Sequence, residues 1–186
     1  MRDQIMLVAM EEMSENGIKF TMTDLARRLQ ISKTTLYAQF RSKEELVGAI
    51  LELLLDNFRQ QNEEIINNSQ LSITEKLKAV MENRPRILAT INSNFILTLK
   101  RQFPNEWEKG LHFRQEKWQL IEQLIKQGIE EGCFRPIDLT VTKLIFISTA
   151  NELLNPNFLI QNNLTLNDAI DKMVDILYFG ICGNNK

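Results

Sequence analysis

Residues 21–40, TMTDLARRLQISKTTLYAQF, leave few folds open, because they hold two short amphipathic helices with almost no chain between them. Thr21 or Thr23 is placed to cap the first helix, where a hydroxyl accepts from amides that have no partner inside the helix. Leu25, Ala26 and Leu29 form its inward stripe. Ser32 starts a second helix directly after Gln30 and Ile31. On it Leu36 and Phe40 fall four residues apart and face inward, leaving Lys33, Thr34, Thr35, Tyr37 and Gln39 outward. Ala26 sits at the crossing, where a methyl group lets two backbones approach. The pattern is a helix-turn-helix.

Charge is distributed in a way that adds to this. The chain has 186 residues and a net charge of only −2. Between Lys19 and Lys43, however, Arg27, Arg28, Lys33 and Arg41 join those two lysines against the single acid Asp24. A basic module therefore sits on an acidic body, and the attraction for phosphate is concentrated where the two helices lie. A hydrophobic fraction of 44% is enough for a packed core.

No stretch reads as a strand, and the prolines fall near helix starts, where the missing N–H is not needed. Periodicity predicts an all-α fold with helices at about 3–16, 23–29, 33–40, 43–67, 73–83, 85–101, 104–131, 138–154 and 166–182. Ser42 and Glu45 have the spacing of a capping box at the start of the fourth. The expected organisation is an N-terminal helix-turn-helix domain at 1–47 and a larger helical domain at 48–186, with a frayed tail at Gly183–Lys186. An acidic amphipathic start and no long apolar run point to a cytoplasmic protein without a membrane span. Cys133 and Cys182 match no metal-ligand spacing and read as small, reduced, buried residues. No metal or cofactor is expected.

Residues 3–50 resemble the TetR-like transcriptional regulators, the tetracycline-repressor family. The likeness rests on Asn16-Gly17 after the first helix, Thr21 and Thr23, Leu25-Ala26, the run Ile31-Ser32-Lys33-Thr34-Thr35-Leu36-Tyr37 with Phe40, and Ser42-Lys43-Glu44-Glu45-Leu46. The departure is Gln30, where the family usually has glycine in the turn. The resemblance implies nine helices, a homodimer, a second helix lying in the major groove of double-stranded DNA, and a near-palindromic operator read one half per subunit.

Reach then sorts the side chains of that implied interface. Thr34 and Thr35 can offer a hydroxyl or a methyl to base edges, Lys33 and Gln39 can reach base or phosphate, and Tyr37 can give its hydroxyl to a phosphate or serve in packing. Thr21, Thr23, Arg27 and Lys43 are placed for the DNA backbone, Lys43 at a helix N-terminus.

Beyond residue 48, Trp107, Leu111, Arg114, Trp118, Ile121 and Ile125 recur on one helical face. A cation inside such a stripe either pairs with a buried carboxylate, Glu152 being the candidate, or faces a cavity that admits an anionic ligand. Phe95, Trp107, Arg114 and Trp118 are the candidate effector contacts. The single histidine, His112, reads as a surface residue. The last two predicted helices carry more apolar surface than one core needs, which points to a dimer interface including Ile145, Thr149, Val174 and Leu177. No nucleophile-base arrangement or phosphate-binding glycine loop is present to support an enzyme. The expected function is a dimeric DNA-binding regulator, a repressor released by a small-molecule effector; the alternative is control by a protein partner with no small molecule.

Overall fold

The computed structural model describes residues 1–84 and 93–183, and every regular element among them is an α-helix. In order these are α1 (Arg2–Asn16), α2 (Met22–Arg28), α3 (Lys33–Gln39), α4 (Lys43–Asn67), α5 (Ile73–Glu82), α6 (Ser93–Gln102), α7 (Pro104–Glu130), α8 (Leu139–Glu152), α9 (Pro156–Gln161) and α10 (Leu166–Cys182). Periodicity predicts nine helices, and the described residues form ten. The addition is α9, six residues begun by Asn155, whose side chain accepts from the Asn157 amide, with Pro156 at the first position. It is too short for a 3.6-residue period to register, although Asn-Pro is a start signal. Of the predicted 85–101 helix, residues 85–92 lie outside the described residues, as do 184–186 of the tail.

Two units pack separately. The first holds Met1–Asp56 and the described part of Arg86–Lys109; the second holds the described part of Asn57–Pro85 with Gly110–Lys186. Both α4 and α7 run through the division and contribute to each unit.

In the first unit, Ile5, Ala9 and Met13 of α1 are buried with Leu25 and Ala26 of α2, Leu36 of α3 and Leu46, Val47 and Ile50 of α4. Arg28 ties α2 to α1: its guanidinium donates to Glu12 at 2.6 Å, Glu15 at 2.9 Å and Glu11 at 3.1 Å. That guanidinium holds the Glu12 carboxyl below its ordinary range, with help from Asn16. Later in this unit Lys109 bridges Glu106 at 3.0 Å and Glu52 of α4 at 3.3 Å.

The second unit is built around Trp118, Ile121 and Ile125 of α7, with Leu77 and Val80 of α5, Phe146 of α8 and Val174 and Ile181 of α10. Ser72 and Glu75 form a complete capping box on α5. A polar knot crosses this core. The half-buried Lys117 donates from its ammonium to the carbonyls of Met81 at 3.0 Å and Asn83 at 2.7 Å, and Asn83 donates to the buried Asn62 at 2.8 Å. Burial, helped by the nearby charge of Arg84, pushes the Lys117 ammonium down to about 7. The cysteines differ from expectation: Cys133 is exposed in the turn after α7, and Cys182 is half-buried. Phe134 takes the buried place beside Cys133 instead, because it packs on Gly128.

Candidate functional site

The two helices after α1 form the expected pair, and each of its features has a local cause. Thr21, not Thr23, caps α2: the Asp24 amide donates to its hydroxyl at 3.1 Å, and the Asp24 carboxylate accepts from the Thr21 amide in return. Those bonds from Thr21 hold the Asp24 carboxyl low. The chain turns at Gln30, whose φ of 55° lies in the left-handed region that glycine would occupy without strain. The price of the polar side chain there is roughly 1 kcal/mol. Ser32 caps α3 by accepting from the Thr35 amide at 3.0 Å. Ser42 accepts from the Glu45 amide at 3.1 Å, but Glu45 reaches back to the Arg41 amide at 2.8 Å, one residue earlier than a capping box requires.

Burial separates α3 into two faces. Leu36 and the following Phe40 are fully buried, while Lys33, Thr34 and Tyr37 are exposed on the opposite side and Gln39 is half-buried. Ala38, which sequence reasoning passed over, shares the outward face. Thr35 is half-buried and its hydroxyl lies 2.8 Å from that of Ser32, so part of its hydrogen-bonding capacity serves the cap. Thr23 is half-buried as well.

Charge on this module is more selective than composition suggests. Arg28 is taken up by the three glutamates of α1. Lys43 donates to the carbonyls of Ile18 and Phe20, each at 2.6 Å, and lies over the Phe20 ring. Burial pushes its ammonium below the ordinary lysine range. The assignment of Lys43 to the DNA backbone therefore shares this side chain with a structural task, since two of its three donors are occupied. Lys19, Arg27, Lys33 and Arg41 remain exposed, Arg27 at 3.5 Å from Asp24. One contact had no sequence signal. Arg2 lies over the Phe40 ring, donates to the Gln39 carbonyl at the end of α3 and approaches Glu45 of α4 at 3.7 Å.

The comparisons with known proteins agree with this geometry. Residues 5–50 match the family described as bacterial regulatory proteins, tetR family. Over that segment the chain is similar to the tetR-family transcriptional regulators. It is 27% identical over 172 residues to the HTH-type transcriptional regulator YvaF of Bacillus subtilis, covering 92% of this chain and 90% of that protein. Among solved structures, FadR of Bacillus subtilis in complex with stearoyl-CoA matches with a TM-score of 0.67 at 19% identity, over 96% of this chain and 98% of that one. A transcriptional regulator from Saccharomonospora viridis in complex with choline matches with a TM-score of 0.74 at 17% identity, over 98% of each chain. At these identities the two structures show a shared fold. The family and its relatives are regulators, not enzymes.

The four candidate effector residues are divided. Phe95 and Trp107 belong to the first unit, Phe95 buried and Trp107 half-buried with Lys100 at 5.9 Å from its ring. Arg114 and Trp118 belong to the second. Trp118 is buried, donates to Glu122 at 2.9 Å and packs on Phe146, so it is core. Arg114 lines a cleft of about 210 Å³ between α7 and α8, together with Leu111, His112, Gln115, Ile147 and Asn151. Burial pushes its guanidinium down to about 10. Glu152, weighed above as its partner, is exposed and accepts from Asn155 at 3.0 Å.

The residues assigned to a dimer interface also divide. Ile145 is 47% exposed and Thr149 half-buried, whereas Val174 is only 1% exposed and Leu177 packs against its own core. Val174 is covered by its own chain and has no surface to offer a second copy. The exposed apolar groups are Ile145 itself with Val141 and Leu144 on α8, and Ile176 and Phe179 on another face of α10. A helix with two apolar faces does not reveal from sequence which one turns inward. Among the described residues no helix is long and apolar enough to cross a membrane.

Proposed function

We propose that this protein is a homodimeric, cytoplasmic, sequence-specific repressor that leaves a near-palindromic operator when a small molecule binds its larger domain. The observation that carries the reading is the outward face of α3, where Lys33, Thr34 and Tyr37 stand exposed on a helix anchored from below by Leu36 and Phe40. A rigid helix with short polar and basic groups outward is what base reading in a major groove requires. Thr21, Thr23 and Arg27, with the remaining donor of Lys43, would hold the DNA backbone, while Gln39 and Thr35 complete the reading face. We keep the functional division at 1–47 and 48–186, close to where the family match ends.

Dimerisation is supported by the exposed apolar strip on α8 and α10, which reads as half of a four-helix interface. Effector control is supported by the cleft at Arg114, and by fold relatives that were solved with stearoyl-CoA and with choline. A ligand that prefers the arrangement with poor DNA affinity must weaken DNA binding by the same coupling free energy, typically about 1–3 kcal/mol. Selection of binding sites from a random duplex library tests the core of this reading. Enrichment of an inverted repeat, lost when Lys33 and Tyr37 are both changed to alanine, is expected; recovery of sequences without half-site symmetry would overturn it.

A further inference from the structure

We infer that Cys133 and Cys182 form a thiol–disulfide site in the second unit, closed by exchange with a low-molecular-weight disulfide into an internal cross-link between the turn after α7 and the end of α10.

The two cysteines are distant in sequence, and the chain around Arg135 brings them to one end of the second unit. The Arg135 amide donates to the Ile181 carbonyl at 3.3 Å, and its guanidinium donates to the Gly180 carbonyl. Its side chain lies 3.2 Å from where a Cβ on Gly183 would stand. Cys133 comes two residues before Arg135, and Cys182 is the residue after Ile181. Even with the connecting chain drawn out, these links keep the two Cα atoms within about 12 Å of each other. A disulfide needs about 7 Å or less. Cys133 is held in place, because its amide and that of Phe134 both donate to the Gly128 carbonyl and the Phe134 ring is buried. The adjustment falls to the last turn of α10, which ends at Cys182, and the last turn is the part of a helix that opens most readily. The sulfurs also act on each other: burial pushes the Cys182 thiol up, and a negative charge at Cys133 adds to the rise. Such an influence is short in range.

Exposure divides the roles. Cys133 is exposed and meets a soluble disulfide first, whereas Cys182 is half-buried and hydrogen-bonded with the Tyr178 hydroxyl. The Cys133 thiol loses its proton to solvent, and its sulfur attacks one sulfur of R–S–S–R. The reagent's S–S bond breaks, and the released thiolate takes up a proton. Cys182 then loses its proton, attacks the Cys133 sulfur and displaces the second thiolate, which is protonated in turn. Two protein thiols are oxidised and one small disulfide is reduced to two thiols. A reducing compartment keeps the pair open, and a rise in small disulfides closes it.

The probe is oxidised glutathione, added to the reduced full-length protein, with remaining thiols then blocked by N-ethylmaleimide. Both thiols should be lost together, and tryptic digestion should give one fragment that joins the Cys133 and Cys182 peptides until dithiothreitol is added. In Cys182→Ser the second step is impossible, so a glutathione adduct should accumulate on Cys133 to about tenfold or more above its level in the unaltered chain. An adduct that persists on the unaltered chain at the level of the variant would overturn the inference, as would loss of both thiols into chains linked to one another. The cross-link must also belong to the folded state. Oxidised protein should unfold at a higher urea concentration than reduced protein, since the bond restricts the unfolded chain. A midpoint unchanged or lowered would mean that the bond forms only by opening the fold, and would overturn the inference as well. Peptide mapping and urea titration both use the unaltered sequence, so they decide the matter even if Cys182→Ser fails to fold.

Discussion

The guanidinium of Arg2 lies 3.9 Å from the centroid of the Phe40 ring and donates to the carbonyl of Gln39, so the first helix holds the last turn of the outward-reading helix from behind. Arg2 precedes the matched family segment, which starts at residue 5. A cation at the C-terminus of α3 also complements the partial negative charge of its unpaired carbonyls. If Arg2 acts by positioning α3, Arg2→Ala should weaken DNA binding about fivefold for all sequences, the loss of an exposed cation–π and carbonyl contact. The slope of log affinity against log salt should stay the same. A slope reduced by about one would mean that Arg2 touches a phosphate itself.

Lys43→Met should lower the stability of the protein by about 2 kcal/mol, because the carbonyls of Ile18 and Phe20 lose a charged donor in a partly buried place. Urea denaturation measures this. A variant as stable as the unaltered chain, with weakened DNA binding, would make Lys43 a phosphate ligand alone.

Gly128 has no room for a side chain. A methyl group there would lie 2.1 Å from two atoms of the Phe134 ring, and the amides of Cys133 and Phe134 both donate to the Gly128 carbonyl. The ring is buried and cannot swing clear. Gly128→Ala should therefore cost about 3 kcal/mol, read as a lower midpoint in thermal unfolding. An unchanged midpoint would mean that the turn after α7 rearranges freely.

Stability should rise with pH above neutrality. The Lys117 ammonium is depressed to about 7 in the folded protein by burial and by the charge of Arg84, which is itself paired with Asp171. The unfolded chain holds that proton up to the ordinary lysine range near 10.4, so over this interval unfolding takes up a proton. The gain approaches about 1.4 kcal/mol per pH unit for one proton. Denaturant titrations between about pH 7 and 8 stay below the range where the unfolded Cys182 thiol, ordinarily near 8.5 and raised by burial in the folded chain, and the likewise raised Tyr178 would oppose the trend. Lys117→Met should flatten the dependence, and an equal slope in that variant would assign it to another group.

Phe179→Glu and Val174→Glu should behave differently although both lie on α10. Phe179 is 67% exposed, so a charge there should disfavour association while leaving the fold intact; Val174 is 1% exposed, so a charge there should unfold the chain. Light scattering with circular dichroism separates the cases. A Phe179→Glu variant that remains a dimer would move the interface off this strip.

The helix-turn-helix was legible in the sequence because its causes are local. Caps, a turn, and apolar residues three and four apart are all contained within Thr21–Phe40, and the structure uses Thr21, Ser32, Leu25, Leu36 and Phe40 as their types and spacing require. The long α4 and α7 were legible for the same reason. What the sequence could not assign were choices between equivalent partners far along the chain. Six basic residues look alike in a row, and only packing commits Arg28 to three glutamates of α1 and Lys43 to two carbonyls, while leaving Lys33 outward. Trp118 and Arg114 share a helical stripe, yet one is core and the other lines a cleft, since a helix face is wider than any single neighbour that covers it. On α10 the sequence determined only that the helix is apolar on two faces; the tertiary structure decided that Val174 is covered by its own chain and that Ile176 and Phe179 are left outside. Local hydrogen bonding and periodicity are properties of neighbours in sequence, whereas burial is a property of whichever distant segments arrive.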